Sequence, residues 1–309
     1  MEHFRVKLVY RMPGVGVPID ESLLTAPAIA RIATAAEQSG WDAICFDEHP
    51  MPPNYWRLNG DGHDSVDPLV ALAAASACTT TLRLFVYAAI LPLRSPFLLA
   101  KAVATLDLLS EGRVELGLAS GYLPEEFAAC GVDFQTRGQL FDRYIELMRM
   151  AWSGEAVDYE DSAISAVDVC ARPRPVQDPH PPLWIGGNSR KAMERVIRHG
   201  AGWMPSINPP GRSVSRRTAP LSSPRDLAAK VDRLRAEATR VGRRDPIRIA
   251  LALNLDGTDT SAVARFVDDC AEYTASGVDW IVVNSRSENI DDAVSLLSLV
   301  PKYLRGVSA

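Results

Sequence analysis

The chain has 309 residues, 47% hydrophobic and 23% charged, enough to bury a core without disulfide staples and unlike a disordered, collagen-like or disulfide-scaffold protein. Its net charge of −5 gives no support to a nucleic-acid binder of the usual basic kind. The five cysteines (45, 78, 130, 170 and 270) are odd in number and form no CxxC pair, so they read as a reduced set of small apolar residues.

The N-terminal stretch lacks the charged-then-apolar pattern of a signal peptide, and no run reaches the roughly 18 apolar residues of a membrane span. A cytoplasmic protein without membrane contact is therefore expected. A first β-rich run covers 4–10. The stretch Met12-Pro13-Gly14-Val15-Gly16-Val17 after it approaches a glycine-rich phosphate turn but lacks the third glycine, and reads as a loop. Ile29, Ile32, Ala33 and Ala36 recur at helical spacing and mark a first helix with one apolar face. Further β-rich runs follow at 43–46, 82–90, 114–118, 183–186, 202–204, 247–253 and 280–284, making eight. Gly40, Gly112, Gly200 and Gly277 each separate a helical pattern from the next strand, where a left-handed residue can end the helix. Asp67-Pro68, Ser95-Pro96 and Ser223-Pro224 each place a capping oxygen before a proline at the first helical position.

Strands apolar on both faces, alternating with helices, mean a parallel sheet covered by helices. Eight such units predict an α/β fold of the (β/α)8, or TIM-barrel, type as one domain over 1–309. A doubly wound open sheet is the competitor, and its expected phosphate turn is missing. The connections 47–67, 119–137 and 206–223 after the second, fourth and sixth strands are long, and another long one spans 156–182. Barrel chemistry gathers at the C-terminal ends of the strands, so the strand-to-helix loops frame the expected site. The Pro-, Ser- and Arg-rich segment 206–224 is expected to be a mobile excursion or lid.

Three polar residues, Asp47, Glu48 and His49, follow the second strand directly. His49 can transfer a proton or donate a hydrogen bond to a bound ring, with Asp47 fixing its tautomer; a solvated loop edge is the plain alternative. The fifth strand runs into Gly186-Gly187-Asn188-Ser189-Arg190-Lys191 at a helix start. Two glycines let backbone N–H groups approach an anion, and positive charge in a first turn, where acids are preferred, suits a bound phosphate. An ordinary glycine turn with an N-cap competes with that reading. Gly117, Ala119, Ser120 and Gly121 are small residues at the end of the fourth strand, giving a flat molecule room or packing a tight barrel layer.

The string Asp61-Gly62-His63-Asp64 has metal-like spacing, but no HxH or HExxH partner exists and the chain has five histidines in all, so no metal is expected. From Arg190 to Arg244 the chain holds 14 basic and 4 acidic residues. Most of that charge reads as a solvated helix face, while Arg212, Arg216 and Arg217 on the long loop can receive an acidic ligand.

Taken together, these stretches resemble the bacterial luciferase-like superfamily, and within it most closely the deazaflavin (coenzyme F420)-dependent oxidoreductases. The similarity is carried by Gly40-Trp41-Asp42-Ala43 leading to Asp47-Glu48-His49, by Leu91-Pro92-Leu93-Arg94-Ser95-Pro96, and by Thr105 to Arg113. It continues through Gly117 to Tyr122, Pro124-Glu125-Glu126-Phe127, Pro181 to Ser189 and Gly200-Ala201-Gly202-Trp203. The resemblance implies a barrel holding a flavin-like ring over the strand ends, with the Gly186–Ser189 turn on the cofactor phosphate and His49 near the reactive face. It also implies a non-prolyl cis bond near Tyr87-Ala88 that bulges beneath the ring, and a homodimer. Members oxidising glucose 6-phosphate carry Glu where this chain has Tyr122, which argues against that sugar phosphate. The segment 52–63 departs from the resemblance, and its Tyr55 and Trp56 can stack on a planar or apolar substrate or belong to a merely structural loop.

The function implied is hydride transfer between coenzyme F420 and a small organic substrate, with His49 supplying a proton. The acidic polyglutamyl tail of that coenzyme gives the basic loop a role. The alternatives are an FMN-dependent monooxygenase that takes reduced flavin from a partner reductase and uses oxygen, and a non-catalytic flavin-binding barrel.

Overall fold

The computed structural model describes residues 6–12, 21–58, 62–285, 287 and 289–304. Within these, eight parallel strands close into a barrel: β1 (Lys7–Met12), β2 (Ala43–Phe46), β3 (Arg83–Ile90), β4 (Val114–Ala119), β7 (Leu183–Gly186), β8 (Gly202–Met204), β9 (Arg248–Leu255) and β10 (Trp280–Ser285). The expected α/β barrel is therefore the fold. Closure comes from β1, which pairs in register with β10 on one side and β2 on the other. Trp41 at the foot of β2 donates from its indole to the Leu297 carbonyl at 2.9 Å, pinning the last helix (Ile290–Leu304) against the start of the barrel.

Side chains pointing into the barrel form their own cluster, in which Trp280 meets Phe85 and Trp184 edge to face and Phe85 and Trp184 are tilted on each other, with centroids 5.2 to 5.8 Å apart. This plug fills the barrel interior below the strand ends, as the fold requires. The Trp184 indole donates to Glu115 at 2.6 Å, and Glu115 in turn accepts from Arg83, so the buried carboxylate is satisfied. The outward faces of the strands pack on the helices in a larger, continuous apolar cluster.

Two connections contain more structure than their composition suggests. Residues 156–182 include an antiparallel pair, β5 (Val157–Glu160) and β6 (Ser165–Val169), outside the barrel. Segment 206–224 carries a short helix, Pro210–Ser215, and its ends are tied by backbone hydrogen bonds between Asn208 and Leu221 at 2.8 and 3.0 Å. The Pro13–Val17 part of the glycine-containing stretch and Asp61 lie outside the described residues.

Candidate active site

A cavity of about 760 Å³ opens at the C-terminal ends of the strands, where barrel chemistry was expected. Its floor is the end of β3, where the Tyr87–Ala88 peptide is cis and the pairing with β4 shifts register between Val86 and Ala89. Tyr87, Ala88, Ser120, Gly121 and Tyr122 all line the space.

One wall is a polar arc. Arg11 lies in register beside Cys45, so its guanidinium reaches the carboxylate of Asp47, the residue just past the end of β2. Arg11 also donates to Asn284 at 3.2 Å, and Asn284 donates to Asn254 at 3.1 Å. The Nε2 of His63 lies against the same Asp47 oxygen. Burial opposes the Asp47 charge, but Arg11 and His63 outweigh it and hold the carboxyl well below the usual range. Burial pushes the His63 imidazole down in spite of Asp47.

Asp47 is thus occupied, and the His49 ring is oriented by a different carboxylate. His49 Nδ1 is 3.3 Å from Glu126 Oε2, and Nε2 is 3.5 Å from the Tyr122 hydroxyl. Glu126 is fully buried, and its other oxygen accepts from the Met51 N–H at 3.3 Å. The loop at His49 is fixed by Ser65, which accepts from the His49 N–H at 2.9 Å and donates to its carbonyl at 3.1 Å. Burial pushes the Tyr122 phenol up to about 12, so it stays a neutral hydroxyl at ordinary pH. Glu48 also borders the cavity, and its carboxylate is taken up by the Ile90 N–H and by Arg94, each at 2.6 Å.

The opposite wall is Gly186, Gly187 and Ser189. Ser189 caps the helix Arg190–His199 by accepting from the Ala192 N–H. Three residues expected here have other roles. The Asn188 side chain is buried and clamps the long loop, donating to the Ser206 and Ala219 carbonyls at 2.7 and 2.9 Å, while its backbone N–H donates to Thr218. Arg190 and Lys191 are exposed and both pair with Glu194, a helix neighbour, which accounts for positive charge in that first turn. The cations that do line the cavity are Arg11, Arg195, Arg212, Arg216 and Arg217. Arg195 pairs with Asp142 at 2.6 Å, while Arg217 lies over the Phe134 ring at 5.1 Å and so joins the two long loops.

Gly117 and Tyr55 also differ from expectation. Tyr55 is half exposed and lies outside the cavity lining, whereas its neighbour Trp56 is buried with its ring 4.3 Å from that of His49. Gly117 is a packing residue: a Cβ there would meet the Val86 carbonyl at 2.3 Å and Met204 at 2.9 Å. Gly117→Ala is expected to cost about 3 kcal/mol of stability, read as a lowered urea midpoint. A variant of native stability that merely binds cofactor less well would show that Gly117 faces the ligand after all. Arg11 and Arg195 were not singled out by any sequence signal, and Glu126 stood only within the Pro124–Phe127 stretch that carries the family resemblance, with no role attached. Among the described residues no three His, Cys, Asp or Glu side chains group as metal ligands.

The closed barrel and the cavity over its strand ends define a (β/α)8-barrel enzyme. The description "luciferase-like monooxygenase" matches residues 12–295, and the chain belongs to that family of oxidoreductases. An uncharacterised protein of Mycobacterium bovis is 31% identical over 266 residues, covering 82% of this chain and 84% of that one. The FMNH2-dependent dimethylsulfone monooxygenase of Pseudomonas putida is 29% identical over 241 residues, covering 77% and 60%. Monooxygenase RslO1 from Streptomyces bottropensis shares the fold with a TM-score of 0.78 at 20% identity, over 98% of this chain and all of that one. An F420-dependent secondary alcohol dehydrogenase shares it with a TM-score of 0.75 at 15% identity, over 99% and 100%.

Proposed function

We propose that the protein is a coenzyme F420-dependent oxidoreductase that passes a hydride between the deazaflavin and a small organic substrate. The cavity suits a flat ring with a polar edge. Arg11 Nε, His63 Nδ1 and Asn208 Oδ1 are buried polar atoms of cavity-lining residues without a protein partner among the described residues, so a ligand that donates and accepts hydrogen bonds would satisfy them. Gly186, Gly187 and the first N–H groups of the helix Arg190–His199 would hold a phosphate. The bound deazaflavin would supply the hydride chemistry. The protein's part is to hold a proton at Nε2 of His49, to orient that ring through Glu126, and to exclude water with Trp56 and Tyr122.

The observation that carries the choice of cofactor is the basic mouth. Arg216 and Arg217 line the cavity without a carboxylate ion-pair partner among the described residues, and an acidic polyglutamyl tail would neutralise them. In this reading the segment 206–224 roofs the bound cofactor. Titration of the purified protein with F420 and FMN in parallel tests it: micromolar F420 binding, weakened in Arg216→Gln/Arg217→Gln, is expected. Preference for FMN would move the case to the second reading, a reduced-flavin monooxygenase with a partner reductase, which the Pseudomonas putida relative favours. Binding of neither would remove both.

The reading includes a homodimer. The helices Pro68–Ser76 and Pro96–Leu109 lie on the outside of the barrel, yet the first carries no charged residue, and Val70 and Leu98 are each more than 70% exposed. Helices apolar on all sides are normally covered. Leu98→Glu is expected to halve the particle mass measured by light scattering; an unchanged mass would place any interface elsewhere.

A further inference from the structure

The loop after β2 brings a second histidine, His63, into the site. His63 is buried, its ring centroid 5.4 Å from that of His49, and Trp56 contacts both rings, at 4.3 and 5.2 Å. Each imidazole rests on a carboxylate, His49 on Glu126 and His63 on Asp47. The two carboxylates are not equivalent. Asp47 is already neutralised by the Arg11 guanidinium. Glu126, fully buried, has His49 as its sole ion-pair partner among the described residues.

A proton on His49 therefore neutralises a buried charge. A proton on His63 adds net charge to a pair that is already neutral, in a buried place and beside the other ring. We infer that His49 and His63 hold one proton between them, resident on His49, with His63 a positioning residue kept neutral by the Arg11–Asp47 pair. The charged and titratable groups facing the two rings are Arg11 and Asp47 at the ends of β1 and β2, Glu126 from the helix Pro124–Ala129, and Tyr122, with Arg216 beyond it. Burial and the nearness of Arg11 and His49 act on His63 in the direction the inference needs, and together they outweigh Asp47, which acts the other way. Neighbouring groups pushed to opposite protonation states are how a site assigns its acid and its base. The inference rests on the hydride-transfer reading for its use: the single proton is the one His49 would pass to a substrate oxygen as the hydride reaches carbon, leaving an alcohol from a carbonyl. Neutral His63 then stands ready to accept a second proton only after the first has left.

The test needs neither cofactor nor substrate. With histidine labelled with nitrogen-15, the imidazoles are followed by NMR across neutral and acid pH in the full chain. His63 is expected to stay neutral until well below the point at which His49 is protonated. In His49→Gln the His63 midpoint is expected to rise by about one pH unit or more, a tenfold gain in proton affinity. His180 and His199, outside the site, report that the fold is intact. Should His49→Gln fail to fold, Glu126→Gln serves: His63 is expected to take up its proton at higher pH as the proton leaves His49. A His63 curve identical in the wild type and these variants, or protonation of His63 before His49, overturns the inference. The cofactor titration fails separately: no binding of F420 or FMN removes the hydride-transfer reading and leaves the His63 curves as they are.

Discussion

Arg11→Met is expected to destabilise the protein by about 3–5 kcal/mol, because it removes one partner of a buried ion pair and leaves the other charge uncompensated. Asp47 then has His63 as its remaining partner, an imidazole whose protonation burial opposes, while Asn284 loses its guanidinium donor. The pH dependence has a definite sign. Asp47 is held below its unfolded value by Arg11 and His63 against the cost of burial, so its contribution is complete above the ordinary carboxylate range and is lost as pH falls toward the folded value. His63 is pushed below its unfolded value by burial, so it too costs stability as pH falls through the range where the unfolded imidazole protonates. Both act in one direction, and the wild-type urea midpoint should fall as pH is lowered from neutral. Arg11→Met should lower the midpoint at neutral pH and flatten that part of the acid dependence which Asp47 supplies. A variant as stable as the wild type would show that solvent reaches Asp47 and screens it.

His49→Gln is expected to slow the proton-coupled step by about 10²- to 10⁴-fold, the usual worth of a positioned acid. The ring touches Glu126, Tyr122 and Trp56, on the other side of the cavity from Gly186 and Gly187, where the cofactor phosphate is proposed to bind. Affinity for the cofactor should therefore change little, so the loss falls on the single-turnover rate with a carbonyl acceptor and not on cofactor binding. Equal loss of cofactor affinity and rate would make His49 a binding residue; an unaltered rate would leave the proton to Tyr122 or water.

These two side chains show how unevenly the site was legible. His49 could be picked out because three polar residues follow a fully apolar strand, and a barrel puts its chemistry there. The cavity does contain His49, Asp47, Trp56, Tyr87, Ala88, Ser120, Gly121, Tyr122, Gly186, Gly187 and Ser189. The partners were misassigned. Asp47, two residues away in the chain, looked like the group that would orient His49, yet the group in contact is Glu126, 77 positions on. Arg190 and Lys191 looked like phosphate ligands, yet their charge is taken up one helical turn along by Glu194. Gly117 and Gly121 read alike as small residues, and the first proves to be buried under the Val86 carbonyl while the second borders the cavity.

The sequence by itself determined the barrel. Burial on both faces of a parallel strand, helical spacing of apolar residues, and glycine or proline at each joint are local, and each constrains the backbone within a few residues. Eight repetitions of that local pattern leave one compact arrangement that buries every strand. What each polar side chain touches was decided by the tertiary structure alone. Arg11 meets Asp47 across 36 residues and Asn284 across 273, because strand closure brings β10, β1 and β2 side by side. Periodicity records whether a residue is buried. It carries no record of which distant charge a buried polar group will find, and the cost of leaving such a group unpaired is what holds those distant partners together.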